Sequence, residues 1–403
     1  MTRSKFFTMT YDEARKMFLK AAEKLGAVTQ SYAHPSECAP NGDVLTVDTA
    51  WVGPRDADVV LLCISGTHGP EGFCGSAAQI QSLQDGSLTP LPKGVAVLMV
   101  HALNPFGFAY MTRYNENNVD LNRNWVDFNT LPKVPALYDE LYACLPPADQ
   151  FDESLFKETV NRFAELVQKY GGFAVENALS AGQYLWPEGL GYGGCKSEWS
   201  SLVMQKILSN IDKKTRHIAY LDWHSLVRSG MDDMVYLCFN QPDDALFERC
   251  KMWWGADNVD PACVAKKWNA GLGRAGGRPS RHGIMMWGIQ KYVAANQDVV
   301  GGVIEFTDAL LDPLQQKLMN LRAMLLSRYF VHTRDISSRK GRILYDESRE
   351  LWCPTCKDWQ EKSLAHAHVI FAKTLAGAAS WAAENTHNNT VPKLTKLKVD
   401  DEK

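Results

Sequence analysis

The chain has 403 residues, is 45% hydrophobic and 22% charged, and carries a net charge of −3. That length fits one large α/β domain or two smaller ones, with a core big enough to fold without disulfides or a structural metal. Dispersed charges of both signs exclude nucleic acid or a membrane surface as the main partner, and no uncharged apolar run reaches transmembrane length. Met1 to Lys20 lacks the apolar core of a signal peptide, and the ten cysteines are scattered, several inside apolar runs. The expected compartment is therefore a reducing cytoplasm.

Thr10–Leu25 has apolar residues at helical spacing and is expected to form an amphipathic surface helix. Asp43–Gly53 alternates as a strand and closes on a Gly-Pro turn. Val59–Ile64 is an unbroken apolar strand and Phe73–Leu83 a helix, with Gly66-Thr67-His68-Gly69-Pro70-Glu71-Gly72 between them. Val95–Val100 is a second buried strand, stopped at His101-Ala-Leu-Asn104-Pro105. Helical patterns cover about 135–144 and 155–170, and a glycine- and aromatic-rich loop follows at 182–194. Ser197 is the expected cap of a helix reaching Asp212.

His217–Asp222 is a strand leading into Trp223-His224-Ser225, Met234–Phe239 is another, and 243–254 is helical. Residues 271–283, rich in glycine and arginine, are expected as a mobile loop. Val299–Ile304 closes on Glu305. Helices at 314–329 and about 360–383 follow. The expected organisation is a main domain over 1–335, a helical extension packed on it over 336–386, and a polar tail over 387–403. Cys353-Pro-Thr-Cys356 stands without a second pair and reads as a solvent-side turn with two thiols, not a zinc knuckle.

Apolar strands alternate with helices, which predicts a largely parallel sheet with helices on both faces. Four strands end in residues able to do chemistry: His68 with Glu71, Asn104, His224 and Glu305. In such sheets ligands bind outside the carboxyl ends of the strands. His68 and Glu71, three residues apart at a helix start, suit a zinc ion that keeps a position open for water. His224 is the natural third ligand. A lone histidine there would more often be a satisfied core residue. The polar stretch from Arg113 to Trp125 offers a guanidinium for a developing oxyanion, and Asp120 could fix the tautomer of a metal-bound histidine. Asn and Arg side by side there suit a carboxylate, although a solvated loop has the same composition. Glu305, closing an apolar strand, is a candidate general base.

His68-x-x-Glu71, Asn104-Pro105-x-Gly107-Phe108, Arg113, Asp120-x-Asn122-Arg123-Asn124-Trp125, His224-Ser225 and a late Glu305 occur in one order over roughly residues 55–310. The series resembles the zinc carboxypeptidase family and its deacylase relatives. Gly66-Thr-His-Gly-x-Glu-Gly-Phe and the Tyr-Gly-Gly loop at Tyr192 are similar to an uncharacterised, mostly bacterial branch. The resemblance implies a three-layer α/β/α sandwich around a mixed, mainly parallel sheet. It implies one zinc ion on His68, Glu71 and His224, with Asp120 orienting His68. Arg113 would polarise the scissile carbonyl, Asn122 and Arg123 would hold a terminal carboxylate, and Glu305 would be the base.

The implied activity is hydrolysis of an amide bond beside a free carboxylate in a small molecule or short peptide. A deacylase of N-acyl amino acids or amines is the alternative, and a non-catalytic carboxylate-binding module the third reading. The family's clamping tyrosine should lie between His224 and Glu305, where only Tyr236 and Tyr292 occur, neither in a matching motif. Tyr292 and Tyr192 are the candidates. Arg274, Arg278 and Arg281 read first as a solvated basic loop, and second as a preference for acidic substrates.

Overall fold

The computed structural model describes residues 4–227, 234–242, 244–261, 280–294, 296–307 and 312–387. Eight strands lie in one sheet: β1 (Val28–Cys38), β2 (Val44–Val52), β3 (Val59–Ser65), β4 (Val95–His101), β5 (His217–Ser225), β6 (Val235–Cys238), β7 (Val259–Pro261) and β8 (Asp298–Phe306). Their order is β1-β2-β4-β3-β5-β8-β6-β7. β4, β3, β5 and β8 run parallel. β2 and β1 extend the sheet antiparallel on one side, and β6 is antiparallel to β8 on the other. The expected mixed, mainly parallel sheet is thus present, with helices on both faces.

The central strands are parallel because they are apolar on both faces and can be buried nowhere else. Every residue of β3, β4 and β5 is buried. Alternation divides them between two cores. Val59, Leu61 and Cys63 pack with Phe73 and Ala77 of α2 (Gly72–Gln84), while Val60, Leu62 and Ile64 face Met204 and Ile207. The first layer also holds α1 (Tyr11–Leu25), which buries Tyr11, Ala14, Phe18, Ala21 and Ala22 at helical spacing under a Thr10 cap. A short helix, α3 (Pro105–Tyr110), follows β4 under an Asn104 cap. α4 (Tyr138–Ala143), α5 (Glu153–Tyr170) and α6 (Gly172–Ser180) lie beyond it in the chain. The second layer is built by α7 (Trp199–Ser209) and, after α8 (Ala245–Trp254) on the first face, by α9 (Met285–Gly288).

α10 (Pro313–Thr333), α11 (Arg339–Trp352) and α12 (Lys357–His387) complete the first layer, α12 lying against α2, β3, β4 and α8. The segment before α1 is fastened to α11 and to the start of α12 behind α2. Ser4 N donates to Gln360 Oε1 at 3.0 Å, and Arg349 Nη2 donates to the Thr8 carbonyl at 2.6 Å. The Arg349 guanidinium also covers the Phe73 ring at 4.8 Å, and Phe108 meets that ring edge-on at 4.6 Å. No helix of the described residues is long and apolar enough to cross a membrane.

Some elements differ from expectation. β1 is an edge strand, mostly exposed and interrupted by Pro35, so it has no apolar signature. α6 has no counterpart in the expected elements; α11 lies within the expected helical extension and is strongly charged, with only six buried residues. β5 continues beyond Asp222 to Ser225, so His224 belongs to the strand itself. Ser197 does not cap α7: Glu198 occupies that position and instead accepts from the Asn115 and Asn117 amides at 2.8 and 2.7 Å. Residues 271–279 of the expected glycine- and arginine-rich loop, with Arg274 and Arg278, lie outside the described residues, as does 388–403 of the expected tail. Cys353 is buried, not on the solvent side, whereas Cys356 is exposed.

From β3 the chain passes to β4 on one side and returns at β5 on the other. A crevice opens where the strand order reverses, at the carboxyl ends. The turn after β3 is packed directly on the turn after β4. Asn104 N donates to Gly66 O at 2.7 Å, and Gly66 has φ +67°. A Cβ on Gly69 would lie 1.9 Å from the Gly107 carbonyl carbon. Gly69→Ala is therefore expected to destabilise the protein by about 3 kcal/mol or more. Gly172→Ala, where the nearest atom is 4.0 Å away, should be neutral or slightly stabilising. Denaturation midpoints of the two variants check this.

Candidate metal centre

Two elements deliver the three candidate ligands. His68 and Glu71 come from the β3–α2 turn, with Glu71 at the cap position of α2. His224 comes from the end of β5, in register with Glu305 of β8. His68 Nδ1 lies 2.9 Å from Glu71 Oε1, and His224 Nδ1 lies 2.9 Å from Glu71 Oε2. The imidazoles meet edge to face at 4.8 Å. All three residues are buried, with ligand atoms within 4.8 Å of one another.

The outward nitrogens are held too. His68 Nε2 is 3.0 Å from Asp120 Oδ1, and His224 Nε2 is 2.9 Å from Asp222 Oδ2. The second contact is a close ion pair that misses hydrogen-bond alignment. Each ring therefore turns Nδ1 toward a common centre and Nε2 toward a carboxylate, the arrangement by which proteins orient metal-binding histidines. Two nitrogens and one carboxylate fit a zinc ion with an open position.

Burial alone would raise the Glu71 carboxyl, but His68 and His224 outweigh it and hold it below the usual carboxylate range. Glu71 also accepts from Arg113 Nη1 at 2.9 Å and Ser225 N at 3.0 Å. Asp120, likewise opposed by burial, is held well below its ordinary value by Arg113 first and His68 next. His224 is pushed well above its ordinary value: burial lowers it, but Asp222 and Glu71 prevail. Glu305 moves the other way. Burial, helped by the charge of Glu71, lifts it to about 7 against the pull of His224, His68 and Arg113.

Arg113 also donates Nε to Asp120 Oδ2 at 3.2 Å, so two of its three nitrogens face carboxylates of the cluster. Asn122 accepts from Met285 N at 2.8 Å through its side-chain oxygen. Arg123 is buried and donates to backbone carbonyls: Nε and Nη2 to Ser180 O at 3.1 and 2.9 Å, Nη1 to Asn122 O at 2.6 Å. Tyr192 contributes its backbone, its carbonyl accepting from Asp120 N at 2.8 Å, while burial pushes its phenol to about 12. Tyr292 is exposed on the Ile289–Val293 turn, beneath Lys291. Asn104 and Asn124 are braces. Asn104 caps α3, and the Asn124 amide donates to Gly193 O and Lys196 O at 2.9 and 2.8 Å, pinning the Tyr192 loop.

The sequence reading missed Asp222, Thr67 and Tyr220. The signal was available: Tyr220-x-Asp222-x-His224 has the period of two that puts side chains on one face of a strand.

Residues 7–366 match the family model described as "Protein of unknown function (DUF2817)". The chain belongs to that family. No curated protein matches it. Among solved structures, this DUF2817 chain is similar to carboxypeptidase A from Helicoverpa armigera, at 12% identity over 85% of this chain and 73% of that one, with a TM-score of 0.42. It is similar to bovine thrombin-activatable fibrinolysis inhibitor, at 12% identity over 95% and 100% of the two chains and a TM-score of 0.41. It is also similar to succinylglutamate desuccinylase from Chromobacterium violaceum, at 14% identity over 84% and 77% and a TM-score of 0.34. These likenesses are distant, at 12%, 12% and 14% identity.

Folded Glu305 keeps its proton up to about pH 7, whereas an ordinary glutamate releases it near 4.5. Between those values the folded state binds more protons than the unfolded chain, so this group lowers stability as pH rises through that window. Glu305→Gln removes the cost. In chelator-treated protein the variant should exceed the parent by on the order of 2 kcal/mol at pH 8, and the gain should vanish at pH 4. Chemical denaturation at both pH values reads it; a gain equal at the two would contradict the assignment.

Proposed function

We propose that the protein is a zinc-dependent hydrolase of an amide bond beside a free carboxylate. The observation that carries this reading is the convergence of two imidazole Nδ1 atoms on one buried glutamate, with Glu305 in register beside His224. His68, Glu71 and His224 would hold one ion, which when bound supplies Lewis-acid activation of water and of the substrate carbonyl.

Glu305 accepts the proton of the attacking water and returns it to the leaving nitrogen, a task suited to a carboxyl titrating near neutrality. Arg113, charged beside Glu71 and Asp120, adds positive potential where the oxyanion develops. Asn122 uses its oxygen on Met285 N, which leaves the amide nitrogen as donor for the substrate carboxylate. Arg123 keeps one N–H on each Nη for the same carboxylate. Tyr292, exposed, is the clamp candidate free to move onto substrate; Tyr192 is fixed by its loop. Residues 1–335 form the hydrolase domain, and 336–386 brace α2 from behind. The free thiols fit a cytoplasmic setting.

Protein purified without added zinc should carry a divalent metal, read by elemental mass spectrometry, and His68→Ala and His224→Ala should lose it. Absence of metal from the folded parent would defeat the proposal. Glu305→Gln should keep the metal and lose roughly 10²–10⁴-fold in kcat. Short peptides and N-acyl amino acids, assayed side by side, separate the peptidase from a deacylase built of the same atoms. If Arg123→Ala retained full kcat/KM on every substrate, its carboxylate role would be wrong.

A further inference from the structure

Asp222 is fully buried, yet no arginine or lysine is bonded to it among the described residues. Its oxygens take two neutral donors: Thr67 Oγ1 at 3.1 and 3.3 Å, and Tyr220 Oη at 3.0 Å. Its charged neighbour is His224, at 2.9 Å. Asp120, on the other histidine, differs in sharing its charge with Arg113. An uncompensated carboxylate in the core is costly, and two hydroxyls alone do not offset it. Tyr220, Asp222 and His224 occupy alternate positions of β5 and so share one face. Thr67 precedes His68 in the turn after β3. The carboxylate thus joins the two elements that carry the histidine ligands.

Resting on the zinc-hydrolase reading, we propose that Asp222 is the positioning residue of the ligand His224, held by Tyr220 from its own strand and by Thr67 from the turn that carries His68. Its position sets how firmly His224 Nδ1 is aimed at the metal. A purely structural Asp222 would satisfy the two hydroxyls and leave metal affinity untouched.

The test is zinc affinity, measured by competition with a chromophoric chelator, together with the visible absorption of the cobalt-substituted protein. Asp222→Asn is expected to weaken zinc binding about 10- to 100-fold and to change the cobalt spectrum. Asp298→Asn, which removes the carboxylate 3.0 Å from His217 at the opposite end of β5, should change neither. Unchanged affinity and spectrum in folded Asp222→Asn would overturn the proposal. If that variant does not fold, Tyr220→Phe decides. A loss of roughly 3- to 10-fold supports the role, and parental affinity refutes it. A parent that binds no divalent metal would refute the hydrolase reading and this inference with it, whereas a parent that binds and a variant that binds equally refutes this inference alone.

Discussion

One carboxylate orders the site. Glu71 takes two imidazole nitrogens, a guanidinium and a backbone amide on its two oxygens, all within 3.0 Å. A glutamate in the core is tolerated only with such compensation, and here the compensating groups come from the β3–α2 turn, the end of β5 and the stretch after α3. The partners are in turn held by Asp120 and Asp222. Removing any member leaves a buried charge uncompensated, so the cluster acts as a unit. Glu305 is the exception. Its immediate field is too nearly balanced to keep it ionised against burial, and that separates its chemistry from that of Glu71.

The sheet makes this possible by placing the carboxyl ends of four parallel strands side by side. β3 lies at the reversal of strand order, with α2 leading away from the crevice. The turns after β3 and β4 are pressed together so closely that Gly69 has no room for a side chain, and Gly107 has none because Asn104, Thr112 and Tyr114 close over it. Close packing of backbone on backbone fixes the angle at which His68 and Glu71 enter the crevice, more rigidly than side-chain contacts could.

The parts legible in sequence were those where burial left a mark. β3, β4, β5 and β8 announce themselves as apolar runs, and a histidine or glutamate at the end of such a run is conspicuous. Edge strand β1 carries polar residues and a proline, and its pairing with β2 is a tertiary choice that local pattern does not encode. α11 is charged because it lies over the core with its arginine stem, burying Arg349 where a sequence pattern expects an apolar residue. The fixing of Tyr192 through its carbonyl could not be read at all, since backbone roles leave no residue-type signature. Asp222 could have been read, had the strand been carried on to His224.

Gln360 and Arg349 fasten the segment before α1 behind α2, through contacts 356 and 341 residues apart in sequence. Contacts of that span form late in folding, because the loop entropy must be met before they contribute. On a ribosome, α2 would wait with its rear face uncovered until residues beyond 350 had emerged. Glu71, at the cap position of α2, is the member of the cluster that depends most directly on how that helix is seated.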